Sequence, residues 1–317
     1  MKNDTTMSKF VLPGFQGGNP LGFLAALGLL RILTDDHSVW RPRLNWAQHG
    51  TWRPALHLSV AIKNDGLVDA VFSSLSRRKT LYSSLARRVE PNVKLSRTKF
   101  RNLFSSITDW ATLSFLAASG AELPEDDKQI AVTPLRMVNG SGHQDYLPII
   151  REIAKNTGKT HVAATLMEPW RFTDAGRNRS LRWDPSDKRE YALRWDDPST
   201  DPARVQLAAN RLAIEAIPLF PIHPRATRAA TVGFHLVKQG RRTTTRFRWP
   251  IWQVNGGAST QGLTLDAIRS LLELPQLASP SDHRAELRQL GVQCVYESER
   301  LQDGYYGNFA PSSAIPI

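Results

Sequence analysis

Two stretches of this chain carry almost only positive charge. Between Arg77 and Arg101 stand Arg77, Arg78, Lys79, Arg87, Arg88, Lys94, Arg97, Lys99 and Arg101, with Glu90 as the single acid among them. Residues 216–265 contain no Asp or Glu but hold Arg225, Arg228, Lys238, Arg241, Arg242, Arg246 and Arg248. The chemistry such residues do is anion binding. Arginine, at 30 copies against 11 of lysine, presents a planar fork that pairs bidentately with phosphate or guanine and stacks on bases. A face this one-sided repels itself unless counter-charges sit nearby, and a phosphate backbone supplies them. A solvated face, or a contact with an acidic protein, would also satisfy the pattern. Groups of the kind that read base edges stand in two loops, at Gln16 and Asn19 and at Asn139 and His143.

Catalytic constellations are harder to find. Asp184, Asp187, Asp196 and Asp197 form the one acidic group that could hold a metal for a nuclease. Asp-Pro corners and arginine pairing explain the same residues more simply. Thr157-Gly158-Lys159-Thr160 resembles the end of a phosphate-binding loop, but Ile153 occupies the position of its first glycine and the preceding pattern is helical. The histidines are scattered, and Cys294 stands alone, so neither a paired-histidine zinc site nor a disulfide framework can be assembled. The reading is a non-enzymatic chain with no cofactor and no metal.

The elements that must position the cations read as an α+β fold of mixed helices and short antiparallel sheets. The N-terminal half is helix-rich, and a basic β-hairpin lies in the C-terminal half. Asn19 and Pro20 signal a helix start, and Leu21 to Leu33 is apolar on nearly every face, which predicts burial on all sides. The loop ahead of that helix, Pro13 to Gly18, is expected to be flexible and able to meet an anion. Leu56–Ile62 reads as a strand. Helical spacing runs over Leu67–Val89, so that Arg77/Arg78 and Arg87/Arg88 would share a side, and again from Phe100 through Trp110 toward Gly120. Val132–Val138 reads as a strand and Tyr146–Ala154 as a helix. A helix over Ala203–Ala216 follows a segment rich in Trp, Arg, Asp and Pro. Thr231–Val237 and Thr243–Trp249 predict a hairpin joined at 238–242, where Arg246 and Arg248 would point to one face and Phe247 and Trp249 to the other. Helices at Thr264–Leu274 and Asp282–Leu290 and a strand at Val292–Tyr296 complete the pattern, with a loose tail from Asp303. A boundary between lobes 1–160 and 161–317 fits the change in composition. The net charge of +12 bears on partners rather than on fold. The longest apolar run, about 13 residues, is too short to span a bilayer, and a cytoplasmic protein with no membrane partner is expected.

One resemblance extends this reading. The segment Gly17-Gly18-Asn19-Pro20-Leu21-Gly22-Phe23-Leu24-Ala25-Ala26-Leu27-Gly28-Leu29-Leu30-Arg31 resembles the start of large-subunit-like proteins of CRISPR type I-U systems, also called type I-G. Trp183-Asp184-Pro185-Ser186-Asp187, with Arg189, Tyr191-Ala192 and Asp197-Pro198, looks like a mid-chain signature of the same group, as does Trp249-Pro250-Ile251-Trp252. The resemblance implies a place in a Cascade surveillance complex with guide RNA, target double-stranded DNA, other Cascade subunits and a helicase-nuclease as partners. Such a subunit does no chemistry itself. It reads a short flanking motif and leaves target sequence to RNA–DNA pairing.

Overall fold

The computed structural model describes residues 7–123, 126–138, 145–175, 179–187, 204–224, 228–254, 261–303 and 306–317. The chain opens with β1 (Ser8–Val11) and then α1 (Pro20–Asp36), which begins where the sequence places it. Asn19 Oδ1 accepts the amides of Leu21 and Gly22 at 2.8 and 3.3 Å, and Pro20 takes the first helical position without losing a bond. β2 (Arg43–His49) and β3 (Thr51–Leu58) turn back at Gly50, φ +70°. With β1 they form an antiparallel sheet in the order β1-β3-β2. Of the strand expected at Leu56–Ile62 only Leu56–Leu58 is strand, the end of β3, which starts five residues earlier and stops four residues sooner.

The helix expected over 67–89 is two helices, α2 (Asn64–Arg77) and α3 (Lys79–Arg88). The break falls at Arg78, whose guanidinium reaches Asp36 at 2.5 Å and Glu215 at 3.5 Å. The next predicted helix is also divided, into α4 (Arg97–Ser105) and α5 (Trp110–Ser119), because Asp109 restarts the chain by accepting the Thr112 amide at 2.8 Å. β4 (Gly120–Leu123) and β5 (Asp126–Val132) pair, so the strand expected from Val132 onward ends there instead. α6 (Tyr146–Asn156) matches its prediction and leads into α7 (Lys159–Met167).

The second half begins with β6 (Asp174–Ala175) and β7 (Arg204–Val205), which pair. α8 (Leu207–Ala216) therefore starts later than the sequence suggested, since Arg204 and Val205 are taken by the strand. β8 (Ile222–Pro224) pairs with β9 (Ala229–Thr231). β10 (Phe234–Gln239) and β11 (Arg242–Trp252) form the expected hairpin. α9 (Leu265–Leu272), capped by Thr264, and α10 (Arg284–Gln289), followed by Gly291 at φ +82°, also stand close to their expected places. β12 (Val292–Asp303) is longer than predicted. The tail expected to be loose pairs with it instead, through β13 (Tyr306–Phe309) and β14 (Ser313–Pro316). The resulting sheet runs β10-β11-β12-β13 with β14 on the β13 side of β12, and all its pairings are antiparallel.

α1 and α8 cross at the centre. Every residue of α1 from Pro20 to Leu33 is buried, as is every residue of α8. Gly28 lets the helices touch: a Cβ there would stand 1.8 Å from the Leu212 carbonyl oxygen. The two larger sheets meet over the start of α1, where the Phe23 ring lies 6.0, 5.9 and 6.4 Å from those of Trp46, Trp249 and Trp252. Each of the latter two tryptophans also donates its indole N–H to the other segment, Trp249 to the Gly17 carbonyl at 2.7 Å and Trp252 to that of Leu44 at 2.9 Å. Residues of 1–160 and of 161–317 thus share one contiguous core. Among the described residues no helix is long and apolar enough to cross a membrane.

Candidate nucleic-acid interface

The hairpin has the alternation that its sequence implies, with a different outcome for the arginines. Phe247 and Trp249 are fully buried, and Arg246 and Arg248 take the opposite face. That face is occupied. β12 sets Glu299 opposite Arg246 and Glu297 opposite Arg248. Arg248 is 8% exposed. It donates to Glu297 at 2.5 Å and to the Ala278 carbonyl. Arg246 donates to Glu297 as well. These two residues, expected to face a nucleic-acid backbone, instead bind β11 to β12, because the carboxylates that answer them lie about fifty residues further along the chain. Arg242 touches Glu299 at 3.0 Å but keeps 74% of its side chain in solvent. Gly240, at φ +58°, makes the two-residue turn between the paired Gln239 and Arg242. This leaves Lys238 and Arg241 exposed, with no carboxylate partner among the described residues. Beside the arginines, burial and then Arg248 push the His235 pKa down to about 4 against a small upward pull from Glu297.

The first cluster divides in the same way. Arg78 joins Arg31 and Arg211 around Glu215 in the core. Arg211 reaches Glu215 Oε1 at 2.5 Å, and the Tyr82 hydroxyl donates to the same oxygen at 2.9 Å. Burial pulls the Glu215 carboxyl pKa upward, but Arg211, Arg78 and Arg31 together hold it below its ordinary value. Burial likewise opposes ionisation of Asp36, yet Arg78, Ser74 and Arg77 bring its pKa down to about 2. Arg77 pairs with Asp36 at 2.8 Å and remains 55% exposed. Arg97 and Arg101 share Glu122 at 2.8 and 2.7 Å, and Lys99 meets Glu90 at 3.0 Å. Lys79, Arg87, Arg88 and Lys94 have no carboxylate partner among the described residues. Arg88 donates to the Ser106 hydroxyl at 2.8 Å. Of the residues expected to share a side, Arg77 and Arg78 are thus engaged by Asp36 and Glu215, whereas Arg87 and Arg88 are exposed. Cations without a carboxylate partner among the described residues remain around α3 and at the hairpin tip.

The loop before α1 is pinned. The Gly17 amide donates to the Trp52 carbonyl at 2.8 Å, and the Gly18 carbonyl accepts from Ser312. Asn19 spends its oxygen on the α1 amides and its Nδ2 on Asp184 at 2.9 Å, so it is committed to the fold and not open to a base. Gln16 alone of that pair is exposed. Asn139 and His143 lie outside the described residues, as do Asp196 and Asp197. Asp184 is 3% exposed and also accepts the amide and hydroxyl of Ser186 at 2.8 and 2.6 Å. Its carboxylate is therefore a buried brace between the mid-chain turn and the cap of α1, not a metal ligand facing solvent.

The phosphate-loop-like segment is equally engaged: α6 precedes it where a strand is required, and Lys159 pairs with Asp69. A cleft of about 250 Å³ opens beside it, lined by Thr160, His161, Arg171, Thr173, Asp174 and Gln206 among others. His161 offers no free base there. Its Nδ1 accepts the Gly158 amide at 3.0 Å, and its Nε2 faces Asp174 at 3.7 Å. The other Asp174 oxygen accepts the Leu207 amide at 2.8 Å. Sequence reading also missed one exposed side chain. Trp110, placed there on an apolar face, is 78% exposed. The missed signal is Asp109, which as N-cap sets Trp110 at the first helical position, before the buried stripe of α5 begins.

No protein-family model, no curated protein and no solved structure matches this chain.

Proposed function

We propose that this chain is a non-catalytic nucleic-acid-binding subunit of a type I CRISPR surveillance complex. In this reading it contacts guide RNA and target duplex DNA beside other Cascade subunits, helps recognise the target-flanking motif and helps recruit the helicase-nuclease. The observation that carries the reading is the pair of open cation groups: Lys79, Arg87, Arg88 and Lys94 around α3, and Lys238 and Arg241 at the hairpin tip. Arg77, Arg101 and Arg242 extend them. The guanidinium groups of these three remain largely in solvent, which weakens their ion pairs, so a phosphate can compete with the carboxylate. The resemblance of Gly17–Arg31, Trp183–Asp187 and Trp249–Trp252 to the CRISPR group supplies the complex, and the cations supply the mode of contact.

The test is the binding of purified full-length chain to labelled duplex DNA and to RNA across a salt series. If the six open cations meet phosphates, the logarithm of the duplex association constant should fall with the logarithm of salt at a slope of about −5. Between about 50 and 200 mM salt the affinity should drop about 10³-fold. Reversing Lys238 and Arg241 to Glu should weaken binding to every sequence alike and flatten the slope by about 2. Absence of binding at low salt, or binding indifferent to salt, rejects the reading.

A further inference from the structure

Trp110 stands on the first turn of α5 with 78% of its surface in water. The helix is held to its neighbour by a different aromatic, Phe115, whose ring meets that of Tyr82 on α3 at 5.6 Å. Its indole presents a flat apolar face to which a planar partner can stack.

What surrounds it follows from the helix pair. Tyr82 meets Phe115, and Arg88 reaches Ser106, four residues before Trp110. From Tyr82 to Arg88 α3 advances about 9 Å toward its C-terminus, and from Phe115 back to Trp110 α5 retreats about 7.5 Å toward its N-terminus. α3 therefore runs antiparallel to the segment from Ser106 to Phe115, which sets Arg88 and its neighbour Arg87 on the Trp110 side of the Tyr82–Phe115 contact. The segment between them adds exposed Asn102, Ser105, Ser106 and Thr108. Arg87 and Arg88 have no carboxylate partner among the described residues. Two carboxylates also stand here: Asp109, which accepts the amide and the hydroxyl of Thr112 at 2.8 and 2.6 Å, and Glu90, which pairs with Lys99 at 3.0 Å.

We infer that the end of the α3–α5 pair is a binding site for an unpaired nucleic-acid strand, with a base stacked on Trp110 and the adjoining phosphates held by Arg87 and Arg88. The site rests on the nucleic-acid-binding reading above and narrows it to one strand form. An indole face accepts any flat base, and neighbouring guanidinium groups follow the backbone. A duplex cannot use the ring without unstacking its own bases. A protein partner is the poorer fit, since the exposed residues of the neighbouring segment, Asn102, Ser105, Ser106 and Thr108, are polar instead of the apolar surround of a protein hot spot.

The experiment uses full-length chain with oligo-dT and oligo-U of about 12 nucleotides and a mixed-sequence duplex, read by fluorescence anisotropy. Trp110→Ala should weaken binding of the single strands about tenfold and leave duplex binding within about twofold, whereas Trp110→Phe should keep most of the single-strand affinity. Arg87→Ala with Arg88→Ala should lower the single-strand salt slope by about 1.4. Circular dichroism of each variant checks that the fold is retained, and the exposure of all three side chains favours that. Wild-type binding to the oligonucleotides with an unchanged Trp110→Ala affinity overturns this site and leaves the broader function standing. Failure of the wild type to bind any of the three ligands overturns both.

Discussion

Arg248 and Arg241 carry the same charge seven residues apart and do opposite work. Arg248 is buried, its guanidinium shared between Glu297 and the carbonyl of Ala278. Removing Arg248 leaves the buried Glu297 with Arg246 alone and strips one of its charged hydrogen bonds, which costs about 1–3 kcal/mol. Arg248→Ala should therefore lower the urea unfolding midpoint sharply. Any loss of nucleic-acid binding in that variant should track the unfolded fraction. Arg241 projects from the turn with no carboxylate to strand, so Arg241→Ala should change stability by no more than about 0.5 kcal/mol while weakening binding of the folded chain. Equal stability of the two variants would show that the Glu297 contact does not hold the sheet. The distinction is invisible in composition, because a run without acids looks open whether or not a distant strand supplies them.

At the scale of elements, α1 shows which structure could be read from sequence and why. Its cap, its proline and its apolar run are all local, and so its start was legible at Asn19 and its burial at Leu21–Leu33. The hairpin was legible for the same reason: its alternation and its turn glycine lie within one stretch. The break between α2 and α3 was not, because it depends on Arg78 reaching Asp36 and Glu215, one 42 and the other 137 residues away in sequence. The candidate site failed at the same place, through Glu297 and Glu299 on β12 and Glu122 beyond α5. Gly28 is a smaller instance. In sequence it is a weak residue inside a helix, whereas in the fold it is the point at which α1 meets the α8 backbone. Gly28→Ala should raise helix propensity yet destabilise the protein by about 3 kcal/mol or more, since the added carbon meets a carbonyl oxygen that cannot retreat without moving α8. Chemical denaturation measures this, and a stabilised variant would mean that the two helices can part at little cost.

Taken whole, the molecule resolves its excess of cations unevenly, pairing the buried ones with carboxylates and leaving others open to solvent or to a polyanion. Acidification tests that division, because it adds protons to a chain already at +12. Asp36, held at a pKa of about 2, stays ionised between pH 7 and 5, so its pairs with Arg77 and Arg78 persist through that range. The buried histidines do not share this protection. His57 sits in β3 between Lys9 of β1 and Arg43 of β2, is 4% exposed, and has a buried Nε2 with no hydrogen-bond partner. Burial first and Lys9 second push its pKa down to about 4. The unfolded chain takes that proton near the ordinary value of about 6.5, while the folded chain resists until about 4, so stability must fall as pH drops through this window. From pH 7 to pH 5 His57 alone should cost about 2 kcal/mol. His235, whose pKa is also held at about 4, should add to the slope. Urea midpoints for wild type and His57→Gln at the two pH values measure the term directly: the variant should lose most of the His57 share of the pH dependence, and parallel pH profiles for the two proteins would show that the folded chain admits the proton after all.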